Sequence, residues 1–199
     1  MASARRLFAS DGVFRVRVAD IVSDAGQRNS SALTYHFKSR SGVLREILDR
    51  HNDPIDAERG RHLAALGPEP TTRALVAALL RPYSTQLDSV EGRQYLQIVD
   101  QLGAEVIDRD FEVGSVAGAN LQRVFARLLE RPADVPIEAR RQRLFAAVIV
   151  MTGSMADRAR HIDAGEAIGL DAESYLANLA DMIVGVLDAV PGGRLPTLR

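Results

Sequence analysis

The 199-residue chain has no cysteine and a single lysine, Lys38. Without cysteine there is neither a disulfide scaffold nor a thiolate-ligated zinc site. Every base other than Lys38 is arginine, which reads as a coding bias rather than a functional signal. Aromatic residues are scarce at 5%, while Ala, Leu, Val and Arg are abundant, a mix that favours helices over sheets. No apolar run approaches the roughly 20 residues that span a membrane. The opening "MASARRLFAS" lacks the apolar centre of a signal peptide. The expectation is a soluble, cytoplasmic chain with no membrane partner. Catalytic signatures are also missing. There is no Gly-x-Ser-x-Gly elbow, no phosphate-cradling glycine loop and no His-Glu-x-x-His. His51, His62 and His161 stand among charged residues, with no ligand type three or four positions on, and read as surface residues. No catalytic residue, metal or cofactor is expected, and the chain is read as a non-enzyme.

What is present is a large apolar fraction, 46%, enough for a sizeable core. Segments with a 3.6-residue apolar period alternate with breaks at 11–12, 26–29, 38–39, 53–54, 67–70, 131–136, 163–169 and 191–193. No alternating strand pattern occurs. The fold class is therefore all-α, with about nine helices. Short helices end near Asp11 and cover about 17–25, 30–37 and 39–52, the last opened by Ser39 as N-cap. Longer ones cover about 71–88, 91–108, 115–130, 137–162 and 171–190. The expected boundary lies near residue 50, between a front module (1–50) and a larger body (51–199). Charge divides in the same place. Residues 1–50 hold nine basic against five acidic residues, net +4, and residues 51–199 hold sixteen against twenty-one, net −5. A basic end on an acidic body suits contact with a phosphate backbone.

Two short helices joined by a tight turn with glycine near its start form a helix-turn-helix. Val18, Ile21 and Val22 give the first an inward face, and Gly26 permits the turn because it tolerates positive φ. In the second helix Leu33 and Phe37 are four apart and share the core face. Arg28, Ser31 and Tyr35, with Thr34 beside them, share the opposite face. No Asp or Glu occurs between Asp24 and Glu46. Small donors and acceptors without carboxylates suit a helix entering the DNA major groove. Candidate base and phosphate contacts are therefore Arg28, Asn29, Ser30, Ser31, Thr34, Tyr35, His36, Lys38 and Arg40. At this level "ARRLFASDG", "VADIVSDAG" and "SALTYHFKSRSGVLREIL" resemble the N-terminal domain of the TetR family of bacterial regulators, over residues 4–48.

The resemblance implies a two-domain, all-α homodimer. A three-helix helix-turn-helix domain binds operator DNA, and a larger helical domain holds a ligand pocket and the dimer interface. It places Tyr35 and His36 on phosphates, and Arg40 where the family usually has a phosphate-binding Lys. Val16 stands where the family usually has Thr, so Arg17 is the residue expected to supply that phosphate contact.

The body carries two interaction-grade stripes. Leu144, Val148, Met151 and Met155 form one, and Leu176, Leu179, Ile183, Val186 and Val190 form the other. Two such helices from each protomer make a four-helix bundle about a two-fold axis, the expected dimer interface. Candidate lining for a small apolar effector is Leu79, Tyr83, Tyr95, Val99, Leu102, Phe125, Phe145, Ile149 and Thr152, with Tyr83, Tyr95 and Thr152 as polar handles. The expectation is a ligand-responsive regulator, a repressor, that binds a palindromic operator in double-stranded DNA. The alternative is an all-α small-molecule-binding protein or enzyme with a degenerate helix-turn-helix.

Overall fold

The computed structural model describes residues 1–26, 39–103 and 118–192, and every regular element among them is helical. In order these are α1 (Ala2–Asp11), α2 (Val18–Asp24), α3 (Arg40–Ala64), α4 (Thr72–Ser84), a 3₁₀ turn (Thr85–Asp88), α5 (Val90–Leu102), α6 (Ala119–Leu129), α7 (Ile137–Ala164) and α8 (Ala172–Leu187). The starts follow local chemistry. The side chains of Ser39, Thr71, Ser89 and Asp171 accept from the backbone N–H groups of Gly42, Ala74, Gly92 and Ser174 at 2.9–3.2 Å. Helix α7 stops at Gly165 (φ +67°), where the Glu166 N–H reaches back to the His161 carbonyl. Gly26 also takes positive φ, +63°, just past the Ala25 C-cap of α2.

Helix α3 does not stop at Asp53-Pro54. It runs on to Ala64 with Pro54 inside it. Proline removes one i→i−4 bond and ordinarily kinks a helix. Here Pro54 is exposed, so water can satisfy the orphaned carbonyl, and Ile55 and Arg59 beyond it are buried. The continuous α3 is roughly 37 Å long at 1.5 Å per residue. It spans the point where the sequence suggested a boundary.

One contiguous apolar cluster runs from Ala4 through Phe8, Ile21 and Ile47 to Leu96, Met155 and Ile183. Helix α1 and the segment after it rest on α5 through polar contacts as well. The Gln101 carboxamide donates to the carbonyls of Phe8 and Ala9, both at 3.1 Å, and accepts the Val13 N–H at 2.7 Å. Arg5 pairs with Glu91 at 2.6 Å and donates to Gln94 at 3.0 Å. Helix α5 crosses the 3₁₀ turn so closely that a Cβ on Gly92 would lie 2.2 Å from the Gln86 carbonyl oxygen. Backbone cannot move aside as a side chain can. Gly92→Ala should therefore cost about 1–3 kcal/mol, read as a lower urea midpoint with an unchanged slope. No helix among the described residues is long and apolar enough to cross a membrane.

Candidate functional site

Along α3, Leu48, Asn52, Ile55 and Arg59 recur at helical spacing and turn inward. Two of the four are polar, so this helix carries hydrogen-bonding groups into the body. Arg59 is 5% exposed. Its Nη1 donates to the Asp56 carboxylate at 3.0 Å. That carboxylate also accepts the backbone N–H groups of Asn120 at 3.1 Å and Leu121 at 2.9 Å, and the Asn120 side-chain amide at 3.1 Å. Asp56 thus caps the first turn of α6 from a different helix, where a negative charge is favoured. Gly118 makes this approach possible, since a Cβ there would sit 2.1 Å from the Asp56 carboxyl carbon.

Three aromatic rings close on the same region. The Tyr83 and Tyr95 rings meet edge to face at 6.1 Å and 71°. His51 stacks on Tyr95 at 4.6 Å and 15°. The Tyr95 hydroxyl donates to Asn52 Oδ1 at 2.5 Å. His51 Nδ1 is 2.7 Å from Gln86 Oε1, and because an amide oxygen only accepts, the imidazole donates. Two buried polar atoms in this cluster have no partner, Arg59 Nε and Tyr83 Oη. Burial pushes both phenols well above their ordinary range and lowers His51. Burial also pulls Arg59 down, and Asp56 pushes it back up. The cluster therefore consists of neutral rings around one guanidinium, whose carboxylate partner is shared with the α6 N-terminus.

The residues expected from the sequence distribute unevenly. Leu79, Tyr83, Tyr95, Leu102, Phe125 and Thr152 are buried in the body, and Val99 and Phe145 are half-buried. Ile149 is 48% exposed on the outward side of α7, so it does not line the protomer's interior. The Thr152 hydroxyl donates to the Val148 carbonyl at 3.1 Å along its own helix, which occupies it. His51 is half-buried against Tyr95 rather than free at the surface, because the turn of α3 that carries it packs toward α5.

Both C-terminal stripes turn partly inward. Leu144, Met151, Met155, Leu179 and Ile183 are buried within the protomer, and Val148, Leu176 and Val186 are half-buried. Val190 lies past the end of α8 and is exposed. A shared helical face says which residues go together; it does not say whether the protomer or a second copy covers them. The large apolar side chains left exposed on α7 and α8 are Ile149 and Met182.

Of the expected nucleic-acid contacts, Arg28, Asn29, Ser30, Ser31, Thr34, Tyr35, His36 and Lys38 lie outside the described residues. Arg17 is exposed at the N-cap of α2, where its backbone N–H donates to Asp20 at 2.8 Å. Arg40 opens α3 and donates to the Val13 carbonyl, which ties α3 to the segment between α1 and α2. The sequence reading missed Asp56 and Arg59, because "DAERGRH" looks like a solvated charged run. The signal was the inward stripe, since Arg59 is four beyond Ile55 and eleven beyond Leu48.

The arrangement has a solved counterpart. A crystal structure of an inferred TetR-family transcriptional regulator from Rhodococcus sp. matches 94% of this chain and 95% of its own, at 19% identity and a TM-score of 0.53. The chain has the TetR-type fold. At that identity the TetR likeness concerns architecture, and the chemistry of the site rests on the residues above. No protein-family model and no curated protein sequence matches the chain.

Proposed function

We propose that the chain is a homodimeric, ligand-responsive DNA-binding regulator of transcription, acting as a repressor. The observation that carries this reading is the segment between α2 and α3. It joins two front helices of a TetR-type fold, and residues 25–45 contain no acid while carrying Arg28, Lys38, Arg40 and Arg45. In this reading residues 1–50 grip and read DNA, and residues 51–199 bind an effector and dimerise. Outward-facing Ile149 and Met182 supply the apolar contacts of the two-fold interface.

Two elements can carry a signal from the body to the front. Helix α3 bears Arg40 at its start and Arg59 near its end. Helix α5 bears Tyr95 in the cluster and Gln101 on the end of α1. An effector changes DNA affinity only if it binds one arrangement of these helices better than another. A mobility shift with DNA flanking the protein's own coding region tests the reading. A shift that survives excess random competitor supports it, and small-molecule binding without any such shift favours the non-regulatory alternative.

The electrostatic part is separately measurable. Each phosphate neutralised adds roughly −0.9 to the slope of log K against log salt. Arg17 is the cleaner residue to remove, because its guanidinium makes only an exposed pair with Asp20 at 3.5 Å, whereas the Arg40 guanidinium holds the Val13 carbonyl. Arg17→Ala should weaken binding to all sequences alike and flatten the slope by about one unit. An unchanged slope takes Arg17 off the list of phosphate contacts.

A further inference from the structure

We propose that the effector is an organic monocarboxylate with an apolar body, its carboxylate received by Arg59 Nε and Tyr83 Oη at the junction of α3, α4, α5 and α6. The proposal rests on the effector-site reading above and names its chemistry. Arg59 and Tyr83 are 5% and 4% exposed, yet each keeps one donor without a partner. Buried donors in native proteins are almost always paired, so two orphans in one cluster point to a group that completes them. Both are donors as they stand, since a guanidinium cannot accept and burial keeps the Tyr83 phenol protonated. The missing group is therefore an acceptor.

Charge then selects its sign and size. The Asp56 carboxylate is shared among Arg59, two backbone N–H groups of α6 and the Asn120 amide. With that charge already matched to the helix terminus, the guanidinium retains attraction for one further anionic group. A phosphate dianion would need more donors than one guanidinium edge and one phenol. The flanking side chains decide the rest of the molecule. Ile55 and Leu79 stand one helical turn before Arg59 and Tyr83 on the same faces, and with the neutral rings of Tyr95 and His51 they suit an alkyl or aryl body.

The experiment uses the full chain and three acids, benzoate, phenylacetate and octanoate, each compared with its primary amide by calorimetry and thermal shift. At least one acid should bind saturably and raise the melting temperature, while its amide binds roughly a hundredfold more weakly. Tyr83→Phe removes only the orphan hydroxyl and should keep the unliganded melting temperature while weakening the acid about tenfold. Arg59→Met should weaken it roughly a hundredfold. If Arg59→Met does not fold, Tyr83→Phe alone decides. Acid and amide binding equally, an acid undiminished by Tyr83→Phe, or no binding by any of the three acids overturns the proposal. A chain that shifts DNA but binds no acid loses this inference and keeps the regulator reading. A chain that binds acids through Arg59 and Tyr83 but never DNA does the reverse.

Discussion

Asp56→Ala should destabilise the protein by about 3–5 kcal/mol, because it strands a charge that the fold has buried. Two effects contribute, and their sizes differ. The first turn of α6 loses its cap, since Asn120 and Leu121 donate their backbone N–H groups to this carboxylate. A lost cap costs about 0.5–2 kcal/mol. Arg59, 5% exposed, loses its carboxylate partner, and an uncompensated buried charge is the larger cost. The ordering can be tested with a double-mutant cycle. Arg59→Met in the Asp56→Ala background should recover most of the loss, leaving about the cap's share. Asp56→Asn, which keeps an acceptor for α6 but no charge, should fall between wild type and Asp56→Ala. Urea midpoints at constant slope give each value. Equal losses in Asp56→Ala and the double variant would mean that the cap dominates.

If the proposed regulator is a dimer, Ile149→Glu combined with Met182→Glu should convert it to a folded monomer and weaken DNA binding by about a hundredfold or more. The two side chains are 48% and 44% exposed in the protomer, so glutamates there remain solvated when the chain is alone. Only pairing about a two-fold axis would bury them, and burying an unpaired charge costs several kcal/mol. Losing the dimer also loses the second half-site, whose binding depends on being tethered to the first. Ile183→Glu is the informative contrast. Ile183 is buried within the protomer, so this change should lower stability whatever the oligomeric state. Light scattering with circular dichroism separates the outcomes. A double variant that remains dimeric places the interface away from Ile149 and Met182.

How much of this could be read in the sequence depended on whether a feature was local. Ser39 announces its helix because a hydroxyl before a helix has one obvious use, and it accepts from Gly42 as expected. The all-α class was legible for the same reason, since the 3.6-residue period is set within each segment. Pro54 misled because proline's local cost was read without its setting. Its helix continues because Ile55 and Arg59 are held in the body. The stripe of Leu144, Met151 and Met155 was legible as a shared face, but not as one covered by the same chain. The site was half legible. Tyr83 and Tyr95 stood out as polar groups on apolar faces. Arg59 did not, because its meaning depends on Asp56 being drawn to the start of α6, more than sixty residues away in sequence.

On the proposed reading, a two-fold dimer presents its front segment to DNA twice. Selection of binding sites from a random duplex pool by the full-length protein tests this most directly. The account predicts an enriched inverted repeat, with half-sites about one helical turn or slightly more apart. Substituting Ala at Arg28 or Thr34 should relax preference at symmetry-related positions in both halves. Enrichment of a single asymmetric site, or none above the input pool, would contradict it.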